Sequence, residues 1–596
     1  MRLPASTAAL AALALACSSA QKCPEAPAPP ATPAAITASP AASAAPRKKT
    51  DATPRISITL EPNPSTGTVD VDIIAAADPA SLKRWSITAD GGAAAFHLKA
   101  ARDDKGPLET QLTDKNPGEP LAISLARPAT GDVHISYTVD SRTRKVPSFP
   151  TVDVDPNRFQ ASGDALLLLP DGLDDRLVTA SVRFNTLKYG TNEDEPMARS
   201  ASSFGVGEAR EAAVTGRALR LGAYISGRMG RALFDTAEGH DEAAWFGYTS
   251  FDPRSIVADV AAFRTAVREL LRDKGQELMT LLIVVDNRQS GAFVAVRWSQ
   301  SVLVHVGVSE PWSGPVRIAV AAEVLHAWFG ERLWIGPTDS AHEAEAYWFT
   351  EGVTRNLARD LLFRFGLITG AELLDEIHGL ASVLATSPRR TESNASLAAH
   401  RKEPGAVPLL VARGALYAAR VDALLRKKSG DPLRLDDVLR GLFEKAREKR
   451  AALPTSAWID AVSAELGDGE RAAFTKAIEQ GAGIEIPEGA FGPCFRGDKR
   501  RYEAFDLGFD EEATRASTDH TIQGMRPGGP AEKAGLRKDD VLIEAVLRRG
   551  RSEAPVTLTV ERGGEKKTIS YRPAGATATG QGWVRKKDVP DEACTK

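Results

Sequence analysis

Three side chains in the middle of the chain have the types and the spacing that metal chemistry needs. Residues 322–328 read Ala-Glu-Val-Leu-His-Ala-Trp, and residues 348–353 read Trp-Phe-Thr-Glu-Gly-Val. The first segment echoes the helical pattern His-Glu-x-x-His, in which two imidazoles bind one zinc ion and the glutamate activates a metal-bound water. A glutamate on a second helix supplies the third ligand of such sites. The pattern makes Glu323, His326 and Glu351 the candidate site residues.

Ala322 stands where the pattern has its first imidazole. A methyl group cannot donate an electron pair, so one of three protein ligands is missing. Losing a side chain that merely orients a ligand typically lowers metal affinity about 10–100-fold, and losing a ligand should lower it further. We therefore expect a remnant site, with His326 and Glu351 as remaining ligands, Glu323 as a remnant general base, and zinc binding possible but doubtful.

Other ligand sets stay open at this stage. His305 and His342 are the nearest histidines in sequence that could replace the missing one, although nothing in the sequence fixes their geometry. Glu345 follows His326 at a spacing that some zinc sites use. The Trp-Phe-x-Glu-Gly context favours Glu351 instead, and Glu345 is interpreted as a solvated helix residue.

The surrounding sequence predicts the elements that must position these residues. Before residue 250, short alternating segments separated by turn residues predict an antiparallel β domain. They include residues 56–60, 69–73 and 134–139, with a further strand at 166–169 and β character at 219–226. After residue 251, apolar residues at helical spacing and a buried-strand run at 281–285 predict a mainly helical domain. Its expected helices lie at 319–328, 353–365, 414–427 and 435–449. The predicted fold class is therefore multidomain α+β.

A compact C-terminal segment has its own pattern. It contains Leu507-Gly508-Phe509, then Pro-Ala-x-x-Ala-Gly-Leu at 530–536, then Asp-x-Leu-Ile at 540–543, followed by a predicted strand pair. This order resembles a bacterial PDZ domain. In such domains a glycine-containing loop presents backbone N–H groups to a peptide's terminal carboxylate, and a strand edge accepts the peptide as an added strand. The resemblance makes residues 507–509 the expected peptide-binding loop, and packing against neighbouring domains is the alternative.

Together, the N-terminal β segments, the Glu-x-x-His-x-Trp helix, the Trp-Phe-x-Glu-Gly segment and the PDZ-like end resemble the glycyl aminopeptidase family. That family belongs to the thermolysin-like gluzincin metallopeptidases. The likeness covers roughly residues 55–575, and Arg413-Gly414 and Leu435-Asp436-Asp437 match its later helices. Ala322 makes this chain a degenerate member. The implied domains are an N-terminal β domain (55–250), a peptidase-type domain (251–490), a PDZ domain (500–575) and a C-terminal tail (576–596).

Three functions follow from this resemblance. The first is a pseudopeptidase, a chain that keeps the peptidase fold without its hydrolysis and binds peptides or protein C-termini through the old cleft, the PDZ groove or both. The second is an active zinc aminopeptidase with a non-standard ligand set. The third is a structural envelope lipoprotein whose domains only pack together.

The N-terminal sequence predicts that the protein is localised in the cell envelope. Residues 3–16 form an apolar run too short to span a bilayer, and it ends at Leu-Ala-Cys17. The end of this run resembles a bacterial lipobox, which would make residues 1–17 a lipoprotein signal peptide and Cys17 the lipidated residue. Residues 18–54 are rich in Ala and Pro, as a disordered tether would be. We expect a lipid-anchored periplasmic or cell-surface protein, and suspect the outer membrane; an ordinary secretory signal is the alternative.

The cysteine count and the charge complete the sequence prediction. In an oxidising compartment Cys494 and Cys594 are expected to pair and bracket the last domain, the alternative being free thiols. Lys and Arg number 75 against 78 Asp and Glu, which gives a formal net charge of -3. Without a basic excess, nucleic acid is not an expected main partner. The hydrophobic content of 43% is that of an ordinary globular protein.

Overall fold

The computed structural model describes most of the chain from residue 53 onward. The described residues are 53–87, 96–113, 121–141, 152–186, 198–236, 239–247, 250–275, 278–286, 293–339, 341–403, 405–431, 433–547, 550–590 and 593–594. The predicted signal peptide, Cys17 and all but the last two residues of the predicted tether lie outside them. Within the described residues, no helix combines the length and the apolar character that a membrane crossing requires.

The N-terminal part is built from two sheets around a shared core. Its strands are β1 (Arg55–Asn63), β2 (Thr68–Ala76), β3 (Arg84–Ile87), β4 (Phe96–Asp103), β5 (Gly106–Pro107), β6 (Thr110–Thr113), β7 (Leu121–Leu125), β8 (Val133–Asp140), β11 (Leu169–Pro170), β12 (Leu177–Phe184) and β15 (Ala209–Thr215). One sheet has the order β15-β12-β1-β2-β8-β4-β5 and the other β11-β3-β7-β6. Burial alternates along β8, as the sequence pattern predicts for a half-buried strand. Trp85, Ile123 and Tyr137 lie in the common core.

A third sheet leads from this region to the candidate site. It contains β9 (Val152–Val154), β10 (Arg158–Ser162), β13 (Ala198–Ser202), β14 (Gly205–Val206), β16 (Ala223–Thr236), β17 (Gly239–Phe246), β18 (Thr280–Asp286), β19 (Val294–Trp298) and β20 (Ser301–Gly307). The order is β14-β13-β16-β17-β18-β20-β19, with β10 and β9 beside β16. The β17-β18 and β18-β20 pairs are parallel, and β19 is antiparallel to β20. In the described sheet β19 is therefore an edge strand.

One helix lies between strands of this sheet and the others follow it, and the candidate residues lie on or next to the helical segments. They are α3 (Pro253–Leu271), α4 (Gly314–Leu325), α5 (Thr354–Arg364), α6 (Gly370–Thr386), α7 (Asn394–Ala399), α8 (Ala406–Ser429), α9 (Leu435–Lys449), α10 (Thr455–Leu466) and α11 (Gly469–Phe474). A 3-10 turn spans Glu343–Ala346, and π-helical turns span Trp348–Val353 and Thr475–Glu479. The sequence signals are local: Asp252 caps α3 ahead of Pro253, and Thr369 with Glu372 forms a capping box for α6.

The C-terminal segment is inserted between two paired strands. Strands β21 (Phe495–Phe505) and β25 (Ala574–Arg585) are antiparallel, in a register that ends at the pair Phe505 and Ala574. Between them lie α12 (Glu511–Ala516), α13 (Pro530–Lys533), β22 (Val541–Val546), β23 (Val556–Arg562) and β24 (Glu565–Tyr571). This insert has its own core of apolar side chains. The residues expected to form a tail thus begin with most of β25.

Two local predictions of strands are wrong over part of their length, at residues 166–168 and 219–222. Residues 163–166 form the short helix α1 (Gly163–Leu166), and of the predicted strand at 166–169 only Leu169 pairs, as part of β11 (Leu169–Pro170). Residues 216–220 form α2 (Gly216–Arg220), capped by Thr215, and β16 begins at Ala223. A short apolar run does not distinguish a buried helical turn from a buried strand, so tertiary packing decides both cases.

Candidate functional site

Helix α4 brings Glu323 and His326 to one face. Besides Ala322, seven of the twelve residues of α4 are buried, so the core surrounds much of the helix. The helix ends at Leu325, and His326 caps it, with its N–H donating to the Ala322 carbonyl at 3.2 Å. Residues three apart on a helix are neighbours on its surface. Glu323 and His326 can therefore contribute to one site, as the sequence predicts.

Glu351 lies on the π-helical turn Trp348–Val353, called the π turn below. This turn packs against α8 with no room for side chains at the contact. A Cβ on Gly414 would lie 1.8 Å from the Trp348 carbonyl oxygen, and one on Gly352 would lie 2.7 Å from the Gly414 Cα. Aromatic rings hold the other side of the turn, with the Trp348 ring 5.5 Å from Trp458. The two glycines thus fix where Glu351 stands.

His326 and Glu351 bond to each other. The imidazole Nε2 is 3.3 Å from a Glu351 carboxylate oxygen, and its Nδ1 is 3.0 Å from the Phe329 carbonyl. The His326 side chain is 14% exposed and that of Glu351 38% exposed. Burial alone would lower the pKa of His326, but its hydrogen bond to Glu351 and the two nearby carboxylates together raise it to about 9. The imidazole is therefore held as a cation beside Glu351.

The Glu323 carboxylate bonds to the edge strand. Its Oε2 accepts a hydrogen bond from the Arg297 backbone N–H on β19 at 2.7 Å. Burial raises the pKa of Glu323, and the nearby Glu351 charge adds to the increase, while His326 and Arg297 oppose it. The Arg297 side chain turns away to Glu331, with its Nε 2.9 Å from Oε1. No sequence signal could indicate this contact, because the donor is a backbone group.

Arg355 adds a positive charge one turn after Glu351. Its Nη2 is 3.0 Å from Oε2 of Glu376, which joins α5 to α6. The Glu376 charge, partly offset by burial, raises the pKa of Arg355, and Glu323 and Glu351 contribute to the increase. The site therefore contains two carboxylates, one imidazolium and a guanidinium at its border.

The donor set does not fit a three-ligand zinc site. Ala322 is 9% exposed and lies in the apolar core, so its methyl group leaves the first ligand position without a donor. His305 is buried on β20, 3.4 Å from Asp286, and the exposed His342 pairs with Asp339 at 2.7 Å. Over the described ranges, no group of three or more His, Cys, Asp or Glu residues is arranged to hold a metal ion.

The loop Leu507-Gly508-Phe509 is closed by its own neighbours. Leu507 and Phe509 are buried, and Gly508 has φ +81°. The Gly508 N–H donates to the Asp506 carboxylate at 2.7 Å, and the Arg526 guanidinium pairs with that carboxylate. The amide expected to meet a peptide carboxylate thus bonds to a carboxylate of the chain itself.

A helix, rather than a strand, follows this loop. Asp510 caps α12, with its side chain accepting from the Ala513 N–H at 2.9 Å. A peptide added as a strand would need an extended segment here. The sequence contains a signal for this helix, the N-cap aspartate of Asp-Glu-Glu-Ala at 510–513. The resemblance to a PDZ domain favoured a strand there instead.

The remaining predicted residues are the cysteines. Cys494 and Cys594 are joined by a disulfide with a Cα–Cα distance of 5.3 Å, beside the start of β21. The disulfide brackets the β21–β25 pair and the insert between them. Cys17 lies outside the described residues.

The sheets and helices around the site define an aminopeptidase N-like fold. The structure is similar to that of an aminopeptidase N family protein from Idiomarina loihiensis, with a TM-score of 0.64, 15% identity and alignment over 90% of this chain and 99% of that chain. At this identity the likeness shows the fold alone.

Two further solved structures align less well. An M1 zinc metallopeptidase from Deinococcus radiodurans has a TM-score of 0.48 at 16% identity, over 73% of this chain and 95% of that chain. Leukotriene A4 hydrolase from Saccharomyces cerevisiae has a TM-score of 0.48 at 11% identity, over 73% of this chain and 69% of that chain. No family model and no curated protein matches the sequence. The fold assignment rests on the first structure, and the glycyl aminopeptidase and PDZ assignments stay predictions.

Proposed function

We propose that this protein is a pseudopeptidase, a degenerate relative of glycyl aminopeptidases that binds peptides in its old cleft without zinc-dependent hydrolysis. The observation that carries the proposal is the pairing of His326 with Glu351 beside the methyl group of Ala322. Two remaining ligands that bond to each other, with no third donor placed beside them in the part of the chain that the structure describes, give zinc neither the charge nor the coordination number of a catalytic site.

The edge strand β19 supports peptide binding in this cleft. The Arg297 N–H donates to Glu323, which shows that it points away from β20. In an antiparallel pair the residues alternate between bonded and non-bonded positions, so Ala295 also directs its N–H outward. A peptide can add to such an edge as a further strand. The cleft is therefore a better candidate than the closed loop at 507–509.

Metal content and turnover test the loss of hydrolysis. The purified chain should contain far less than one zinc per molecule and show no chelator-sensitive hydrolysis of Gly- or Ala-peptide reporters. The variant Ala322→His should gain zinc, because it restores two imidazoles four residues apart on α4. Stoichiometric zinc with chelator-sensitive turnover in the unmodified chain would favour an active enzyme with a non-standard ligand set instead.

A double variant controls for adventitious metal. Ala322→His combined with His326→Ala keeps one imidazole on the helix, so it should lose the zinc that the single variant gains. If both variants bind zinc equally, the metal lies elsewhere and the placement of α4 in the site is wrong. Circular dichroism would verify that each variant is folded.

Localisation in the cell envelope is part of the same proposal. Lipidation at Cys17 would hold the described domains on the periplasmic or cell-surface side of a membrane. Labelled palmitate should enter the full chain, and Cys17→Ser should abolish labelling and release the protein into the soluble fraction. Labelling that survives this substitution would exclude Cys17 as the anchor.

A further inference from the structure

A cavity lies near the remnant site, and its lining includes Gly330, where an added Cβ would be 3.4 Å from Nδ1 of His326. It is bounded by the loop at residues 330–338, by Glu343 on the 3-10 turn and by the C-terminal end of α9 with residues 450–452. Its volume of about 640 Å³ is within the range of small-molecule sites, roughly 300–1,000 Å³. Glu323, His326 and Glu351 do not line it. The cavity therefore requires an explanation of its own.

Aromatic groups with fixed orientations form part of its wall. The Trp334 indole N–H donates to the Pro337 carbonyl at 2.7 Å, so its ring presents an apolar surface. The Arg332 guanidinium lies 5.3 Å from the centre of the Phe443 ring. It is held there by the Ala327 carbonyl at 2.9 Å and by Asp273 at 2.7 Å. A planar ligand could stack on these pre-ordered groups at little entropic cost.

Two arginines give the cavity a charge that its neighbours do not neutralise. Arg447 and Arg450 line it at the end of α9, both are exposed, and neither side chain has a hydrogen bond or an ion pair within the described residues. The Glu331 carboxylate is engaged by Arg297. Glu343 is the other carboxylate of the lining, and the third arginine, Arg332, is paired with Asp273, so two cations unpaired within the described residues face one anion. Guanidinium groups bind carboxylates with two parallel hydrogen bonds.

We propose that this cavity binds a small organic carboxylate with an aromatic body. Arg447 and Arg450 would bind the carboxylate, and the ring would pack between Trp334 and the buried Ala446 of α9. The site is independent of the proposed function, because it uses no residue of the remnant zinc site. The competing explanation is that the two arginines only balance the negative end of the α9 dipole.

Calorimetric titration of the full chain tests the proposal with three acids and their neutral amides. The acids are phenylacetate, indole-3-acetate and N-acetyl-L-phenylalanine. At least one acid should bind saturably with a dissociation constant on the order of 1 mM or tighter, as expected for ligands of this size. Its amide should bind about 10-fold more weakly or not at all, since it lacks the anion that the guanidinium groups recognise.

A charge-matched pair of double variants places the site. Arg447→Glu with Arg450→Glu should weaken binding of the acid by about 10-fold or more. Lys445→Glu with Lys449→Glu changes the same net charge on the same helix outside the cavity, and should leave the affinity unchanged within about 2-fold. Melting curves verify that both are folded. Absence of saturable binding at about 10 mM of every acid, equal binding of acid and amide, or equal losses in the two double variants would each overturn the proposal.

Discussion

The contact between the π turn and α8 predicts a severe effect for the smallest possible change, Gly414→Ala. The added Cβ would lie 1.8 Å from the Trp348 carbonyl oxygen, whereas ordinary contacts begin at 3.4 Å. The two elements must separate by about 1.6 Å, the difference of these distances. Overpacking an interior typically costs about 1–3 kcal/mol, and a rigid backbone atom puts this case at the upper end.

The helix propensity of alanine opposes this cost. Replacing glycine by alanine inside a helix stabilises it by roughly 0.5–1 kcal/mol. The net loss for Gly414→Ala should therefore be about 2 kcal/mol. For domains of 150–250 residues, one kcal/mol shifts the midpoint by roughly 2–4 °C. Calorimetry should show the transition of the helical region about 4–8 °C lower.

Gly441→Ala on α9 is the matched control. Its Cβ would meet no atom within 4 Å, so only the propensity gain remains. We expect a midpoint equal to or above that of the unmodified chain. Gly352→Ala should behave like Gly414→Ala, because its Cβ would lie 2.7 Å from the Gly414 Cα. If Gly414→Ala melts with the control, the π turn does not approach α8 as described and the placement of Glu351 fails with it.

Three further predictions concern other parts of the molecule. Replacing Cys494 and Cys594 by serine opens a loop with a sequence separation of 100. The chain-entropy model puts the loss of stability at about 4.7 kcal/mol, so amide hydrogen exchange in β21 and β25 should accelerate. Unchanged exchange would contradict this. Burial and the Arg500 charge lower the pKa of His378 to about 4, and its Nε2 accepts from the Trp583 N–H. The folded state thus binds fewer protons than the unfolded one, so stability present above about pH 6.5 should be lost as the pH falls to about 4. In His378→Asn the free energy of unfolding should depend less on pH across that window, and an unchanged pH dependence would exclude His378 as its cause. Finally, Ala295→Pro removes an outward N–H from β19 and should weaken binding of labelled Gly- and Ala-peptides, measured by anisotropy, whereas undiminished affinity would exclude this edge.

The motif spacing predicted which of the candidate side chains lie together, while their roles stay predictions. The Glu-x-x-His spacing and the downstream glutamate were sufficient to place His326 and Glu351 in one site, and they stand 3.3 Å apart. Helix α9 was predicted at its observed bounds, because its apolar face repeats at helical spacing. These features depend on local periodicity and on motifs, which a single sequence carries.

Features that depend on distant backbone could not be predicted. The bond from the Arg297 N–H to Glu323 joins residues 26 positions apart through a group that every residue possesses. The π turn packs closely against Gly414 of α8, and no signal within residues 348–353 specifies a π-helical turn. The self-closure of the loop at Gly508 likewise depends on Arg526, which another segment brings to Asp506.

The register of β21 and β25 has a consequence for the insert that lies between them. Its entry and exit, Phe505 and Ala574, are partners across the ribbon, so the chain leaves and returns at the same point. We therefore expect that residues 506–573 can be replaced by a two-residue Asn-Gly hairpin that joins β21 to β25. At such a junction the insert can be changed without a change in the two strands that flank it.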